Sequence, residues 1–438
     1  MIRARSMRSL VETGLAAAAM AATAGAAVAA DWPSWRGPNR DGQSAETGLL
    51  QEWPAGGPPL VWRARGIGAG LSSVAVVGGR IYTMGDKGGA QHVFALDKAD
   101  GRIVWSAKVG PRWDDEYAGP RATPTVDGDL LYAIGTEGDL VCLETATGRE
   151  RWRKSLPRDF GGSVMTSWKF SESPLVDGDR LVFTPGASDA AVVAVSKRTG
   201  AVVWKAAVPH LGPQGRDGAA YSSIVISNGA GTKQYVQLLG RGLVGIRASD
   251  GKYLWGYNRV ANDVANIATP LVRGNHVFAS TGYQTGAVLL ELTPQAGGVA
   301  AREVYFLPPG TLQNHHGGLV LVGSHVYAGH GHNKGFPISV DFMTGKVAWG
   351  GDIRNAGSGS AAVMYADHRL YYRYQNGVVL LVEATPAGYR EKGSFTIPEV
   401  QNPSWPHLVV ADGRLYVREQ DSLYVYDVRG RGSAARAR

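Results

Sequence analysis

The chain has 438 residues with 45 Lys and Arg against 37 Asp and Glu, a formal charge of +8, but the excess sits at its two ends. Residues 1–30 hold +2 and the last ten hold +4, leaving +2 for everything between, so the basic balance gives no argument for nucleic-acid binding. One cysteine, Cys142, excludes an internal disulfide, and past residue 30 no apolar run is long enough to span a bilayer.

The N-terminus opens with Arg3, Arg5 and Arg8, then an Ala-rich apolar run from Leu15 that ends in Val28-Ala29-Ala30. That pattern predicts a secretory signal peptide over 1–30, cleaved near Ala30, and hence a periplasmic or secreted protein. No Arg-Arg pair points to the folded-protein export route. Residues 31–57 read as an N-terminal extension that belongs to no repeat. The final stretch, 429–438, reads as a disordered basic tail.

Between them, one short pattern recurs: Asp100-Gly101…Trp105, Thr147-Gly148…Trp152, Thr199-Gly200…Trp204, Asp250-Gly251…Trp255 and Thr344-Gly345…Trp349. The tryptophans are 47, 52 and 51 residues apart, with a two-unit gap of 94 before the last. A period near 50 means one supersecondary unit stacked on copies of itself. Within the second unit, Ala122–Val126, Leu130–Ile134, Asp139–Glu144 and the run to Trp152 are short apolar stretches separated by Asp/Gly turns, which reads as four antiparallel strands. Such a sheet cannot bury both faces alone, so the expected fold is all-β, a β-propeller of four-stranded blades.

Outer strands near 62, 105, 152, 204, 255, 305, 349 and 395 predict eight blades spanning 58–428. In blades five and seven, Val304-Tyr305-Phe306 and Ser394–Ile397 stand in for the Trp pattern. Pro58–Trp62 is an outer strand without inner strands, while Leu408–Tyr416 and Leu423–Tyr426 lack an outer strand. Joining them closes the ring and leaves no open edge. Cys142 takes the third-strand position held by Ala95 and Ala194 elsewhere, so it reads as a small buried apolar residue.

Loops leading into the inner strands are long (106–121, 153–171, 206–220), whereas turns such as Asp127-Gly128-Asp129 on the other face are tight. Binding residues are therefore expected on the long-loop face. The residues just ahead of each inner strand form a candidate ring: Ser72, Arg121, Glu172, Tyr221, Asn266, His315 with His316, Ser360 and His407. Polar lining of a wet channel mouth accounts for them equally well. Four of the ten histidines lie within 18 residues, in Asn314-His315-His316-Gly317-Gly318 and Gly329-His330-Gly331-His332. A hairpin turning at Gly323-Ser324 brings both pairs to one end, where imidazoles could shuttle protons or hold a transition metal through His316, His330 and His332. Flanking glycines would let a ligand approach the backbone. Glu172 is the one carboxylate at an inner-strand start; it could pair with Arg121, act as a base, or ligate Ca²⁺ with Asn266. Asp114, Asp115 and Glu116 read as a solvated loop tip. No nucleophile triad, zinc-protease helix or phosphate loop is present in the sequence.

The segment Ala95-Leu-Asp-Lys-Ala-Asp-Gly-Arg-Ile-Val-Trp105 resembles the tryptophan-docking repeat of pyrroloquinoline-quinone (PQQ) propellers, over essentially Trp53 to Val428. With Trp32-Pro-Ser-Trp-Arg-Gly-Pro38, Ser171–Gly178, Ala220–Ser223, Ala265-Asn266 and Asn314–Gly318, the chain looks like exported bacterial PQQ-like repeat proteins. One branch of that family implies alcohol-dehydrogenase-like oxidation, with PQQ over Ca²⁺ held by a Glu and an Asn; Glu172 and Asn266 match in type and blade. The adjacent cysteine pair of that branch is impossible here, and the blade-six position of its Asp base carries the His pair. The other branch, the propeller of the outer-membrane β-barrel assembly machine, implies a non-catalytic scaffold with a periplasmic protein partner. The expectations are a monomer with a channel-mouth site for a small molecule or metal, built on Arg121, Glu172, Tyr221, Asn266, His315 and His316, or alternatively that scaffold.

Overall fold

The computed structural model describes residues 31–401 and 403–430; the expected signal peptide and residues 431–438 lie outside the described residues. Eight antiparallel sheets follow one another around a ring, seven of four strands and one of five. Blade one is typical: Ala75–Val77 innermost, then Arg80–Lys87, Ala90–Asp97 and Ile103–Pro111. Every expected outer strand is present, including Gly298–Leu307 and Glu391–Thr396 in the two blades without a tryptophan. Leu60–Arg65 lies antiparallel to Ser422–Asp427, with Trp62 opposite Val425, and completes blade eight. The ring is thus closed by strands from both ends of the chain.

The recurrent Gly…Trp spacing has a packing cause. The indoles of Trp62, Trp105, Trp152 and Trp204 each lie on the turn glycine of the next blade. A Cβ on Gly148 would sit 2.6 Å from the Trp105 ring, one on Gly200 3.0 Å from Trp152, and one on Gly251 2.5 Å from Trp204. Trp105 Nε1 donates to Thr145 O, and Trp152 Nε1 to Lys197 O, each at 3.1 Å. These glycines also have φ between 71° and 76°, so an alanine there would meet both strain and an indole. In blade five Tyr305 does the same work against Gly345, at 2.9 Å from Leu307 and 3.0 Å from the Tyr305 ring. Cys142 is fully buried opposite Trp152, as Ala95 is opposite Trp105. Burial pushes its thiol up to about 12, so it is packing rather than chemistry.

The N-terminal extension is a plug. Trp32 exchanges two backbone bonds with Val76 in blade one, and Pro33 O accepts from Val126 N in blade two. Trp35 Nε1 donates to Thr269 Oγ1 in blade five, and the Arg36 guanidinium donates to Leu319 O in blade six. Arg40 donates to Ser173 O and Pro174 O in blade three. Gln43–Ser44 then adds a parallel fifth strand inside Ala361–Ala366 of blade seven. Arg36 and Arg40 take φ of 62° and 57°, a left-handed backbone that folds the segment back across the axis. Asp31 and Glu46 accept from Gly78 and Gly413 at the tight turns, so the plug fills the tight-turn end of the channel. From there the chain runs out, with Leu50 N bonded to Val428 O and Trp53 N to Lys392 O, into the closing strand. Arg429, assigned to the tail by sequence, belongs to the ring: it bridges Leu49 and pairs with Asp427.

Candidate functional site

A girdle of hydroxyls ties the blades together where the chain enters the inner strands. Ser73 N donates to Thr123 Oγ1 (3.2 Å), Thr123 N to Ser173 Oγ (2.8 Å) and Ser173 N to Ser223 Oγ (3.1 Å). Positions 73, 123, 173 and 223 are 50 apart, so the repeat signal could have revealed this ring in the sequence. These bonds tie the inner-strand entries of blades one to four to one another.

Those loops and the plug enclose a cup of about 380 Å³ on the long-loop face. Trp35 and Arg36 of the plug line it along with Trp168, Tyr221, Tyr283 and Trp405, Arg121, and the imidazoles of His315, His316, His332 and His407. No carboxylate among the described residues lines it. The rings lean on one another: His315 lies 3.5 Å from His316 and 4.0 Å from His332 between centroids, His316 4.2 Å from Trp405, and Trp35 4.5 Å from His407.

A polar chain runs through the wall. Ser360 Oγ donates to Asn333 Oδ1 at 3.1 Å, so His315 Nδ1 donates to Ser360 Oγ (2.8 Å), and its Nε2 is left to accept from Tyr283 OH at 3.0 Å. Tyr283 and His332 have φ of 54° and 28°, so two wall residues are held in unfavourable backbone by their surroundings. Burial, then the positive neighbours, keeps the imidazoles neutral. His315 and His407 are each lowered to about 3, His316 well below its usual value, and His332 is also lowered. Burial lowers Arg121 to about 10, still a cation at neutral pH; it lies 4.2 Å over the Trp113 ring and donates to Gly119 O and Tyr117 O.

Of the expected site residues, Arg121, Tyr221, His315, His316 and His407 are brought together, joined by His332. Glu172, Asn266 and His330 are not among them. Glu172 is buried, with both carboxyl oxygens accepting from Thr184 N (2.6 Å), Thr184 Oγ1 (3.0 Å) and Gln237 Nε2 (3.2 Å), toward blade four. It forms no ion pair with Arg121, and its charged neighbour is Arg40 of the plug. Asn266 is spent at both ends: its Oδ1 accepts from Asn262 N, and its Nδ2 donates to Leu239 O and Gly240 O. His330 Nδ1 accepts from Gln313 N. Nor do the blade-six glycines make room for a ligand. A Cβ on Gly317 would collide with Ala361 O at 1.6 Å, and one on Gly318 would lie 2.5 Å from Arg36 Nη1. Those glycines admit the next blade and the plug. Ser72 and Ser360 are buried within hydrogen-bond networks. The sequence reading missed Trp35, Arg36, Trp168, Tyr283 and Trp405, which lie on the extension and loops, outside the repeat pattern.

An eight-bladed ring with docked tryptophans and a cup on its long-loop face defines a PQQ-repeat propeller. Residues 89–351 match the family model described as outer membrane protein assembly factor BamB, PQQ_2, and the chain belongs to that family. Among curated proteins, the outer membrane protein assembly factor BamB of Nitrosomonas eutropha is 26% identical over 215 residues, 47% of this chain and 45% of that protein. The quinoprotein ethanol dehydrogenase of Pseudomonas aeruginosa is 30% identical over 118 residues, 26% of this chain and 17% of that protein. The chain spans less than half the length of the curated relatives it matches. Among solved structures, the quinohemoprotein alcohol dehydrogenase of Comamonas testosteroni superposes with a TM-score of 0.62 at 13% identity, over 92% of this chain and 81% of that one. That likeness carries the fold alone.

Proposed function

We propose that this propeller is a ligand-binding protein of the periplasm or the secreted space, whose plugged cup takes a small organic molecule with a flat apolar face. The carrying observation is the closed floor: Trp35 and Arg36 turn a channel into a pocket lined by aromatic rings with a few polar groups, the usual build of a small-molecule site. The leader-like N-terminal sequence and the family support that location. No helix among the described residues is long and apolar enough to cross a membrane.

The family implies PQQ over Ca²⁺, and the donors found here do not suit it. Calcium takes six to eight oxygens, carboxylates foremost. Among the described residues the cup offers hydroxyl and amide oxygens but no carboxylate, while Glu172 and Asn266 have their oxygens committed elsewhere. Transition-metal binding is disfavoured on the same ground: the imidazoles stack against each other instead of converging, and among the described residues no three His, Cys, Asp or Glu are grouped to hold an ion.

The scaffold reading draws on a different surface. Leu60, Val61, Val104, Val202, Val203 and Val304 are 36–48% exposed along outer strands of several blades, an apolar rim away from the cup. One comparison separates the readings. Thermal midpoints of wild type and of Trp168→Ala are followed with PQQ plus Ca²⁺, Zn²⁺, Cu²⁺ and a set of flat organic molecules. A ligand selective for the native state raises the midpoint. The proposal expects a rise with an organic molecule that Trp168→Ala removes. No rise with any of them, together with a partner retained equally by both proteins, would favour the scaffold.

A further inference from the structure

The cup has an uncompensated charge. Arg36 is 3% exposed, and although its Nη2 donates to Asp41 O and Leu319 O, its Nε and Nη1 have no partner. Asp41 is the nearest source of negative charge, but its carboxylate accepts from Gln43 and makes no ion pair with Arg36. Arg121, on the wall, is bonded only to two carbonyl oxygens. Asp41 acts on Arg36 and Asp86 on Arg121 only at a distance, and among the described residues neither guanidinium has a carboxylate within ion-pair distance. The other polar groups of the lining are hydroxyls, two side-chain amides and neutral imidazoles, and of the last His316 Nδ1 and His332 Nδ1 are also buried without partners. By contrast Arg373, equally buried, is paired with Glu419. Leaving a buried charge and its donors unsatisfied is expensive, and a ligand that supplies the counter-charge recovers that cost on binding.

We propose that the cup takes a small organic anion, a carboxylate or group of like charge carried on a flat apolar body, held directly by Arg36 and Arg121 with no metal between. Charged donors bond a carboxylate more strongly than neutral ones do, and Arg36 Nε and Nη1, on opposite sides of the guanidinium, each keep a donor free for a single such bond. The body lies against Trp35 and Trp168, and the bare Gly318 leaves room for the Arg36 head beside His407. This rests on the ligand-site reading above and narrows it to a charge class.

The test is titration calorimetry with benzoate and 2-naphthoate against their primary amides, on wild type, Arg121→Met and Arg36→Met. Each carboxylate should bind wild type at least tenfold more tightly than its amide. Arg121→Met should lose about tenfold to a hundredfold of carboxylate affinity and leave the amide unchanged. Arg36→Met should do the same; if it fails to fold, Arg121→Met alone carries the result, since that side chain sits on a loop. Amides that bind as well as carboxylates overturn the anion assignment while the cup remains a ligand site. Failure of all four compounds overturns both.

Discussion

At Glu172, a residue that sequence alone places at the channel mouth is turned between blades by three hydrogen bonds. Burial there raises its pKa to about 8. Its folded value exceeds the unfolded one, about 4.3, so folding takes up a proton between these limits and stability falls as pH rises through that window. His315 and His407 act in the opposite sense. Their folded values, about 3, lie below the unfolded value near 6.5, so stability falls as pH drops from about 6.5 toward 3. Midpoints measured from pH 4 to 9 should therefore peak in between; Glu172→Gln should flatten the alkaline arm and His407→Gln the acid arm. Glu172→Ala, which strands Thr184 N and Gln237, should cost about 1–3 kcal/mol where Gln costs little, read by urea unfolding. Neither change at Glu172 should alter ligand binding, because that side chain does not line the cup.

Among the elements, the loop into blade eight depends on one buried ion pair. Arg373 and Glu419 are each fully buried in it; Arg373 also donates to Pro406 O, and Glu419 accepts from Ser404 Oγ and Gln401 N. Those bonds fix the segment that brings Trp405 and His407 to the cup. Glu419→Gln should cost about 3–5 kcal/mol, since it leaves Arg373 charged and buried without its partner. Ligand affinity should fall with it, and amide exchange should quicken around Trp405. Unchanged exchange there would sink the positioning role. The repeat elements were legible in sequence because glycines 101, 148, 200 and 251 each carry the tryptophan of the preceding blade, a contact that writes itself at a fixed spacing. The loop residues Trp168, Tyr283 and Trp405 were not, because each blade's loop differs and no period marks it. Direction was also illegible: a residue just ahead of an inner strand can face the axis, like Arg121, or the neighbouring sheet, like Glu172.

Across the molecule, the ring is held at both ends of the chain. Leu60–Arg65 completes blade eight, and the plug crosses to blades one, two, three, five, six and seven. The closure was readable from unmatched strands at the two termini, whereas the plug was not, because residues 31–57 carry no repeat and their partners include Gly413, 367 positions from Glu46. Deleting residues 31–44 while keeping the closing strand should leave a ring of native strand content with a lower midpoint and no ligand binding. A deletion variant that binds as wild type does would show that the floor is dispensable.

The plugged cup is the proposed seat of the ligand. Soaking crystals with 6-bromo-2-naphthoate and locating bromine by its anomalous signal tests this directly. The account predicts one site per chain inside the cup, the ring beside Trp35 and Trp168 and the carboxylate toward Arg36 and Arg121. An empty cup, with bromine only along the outer-strand rim, would contradict it.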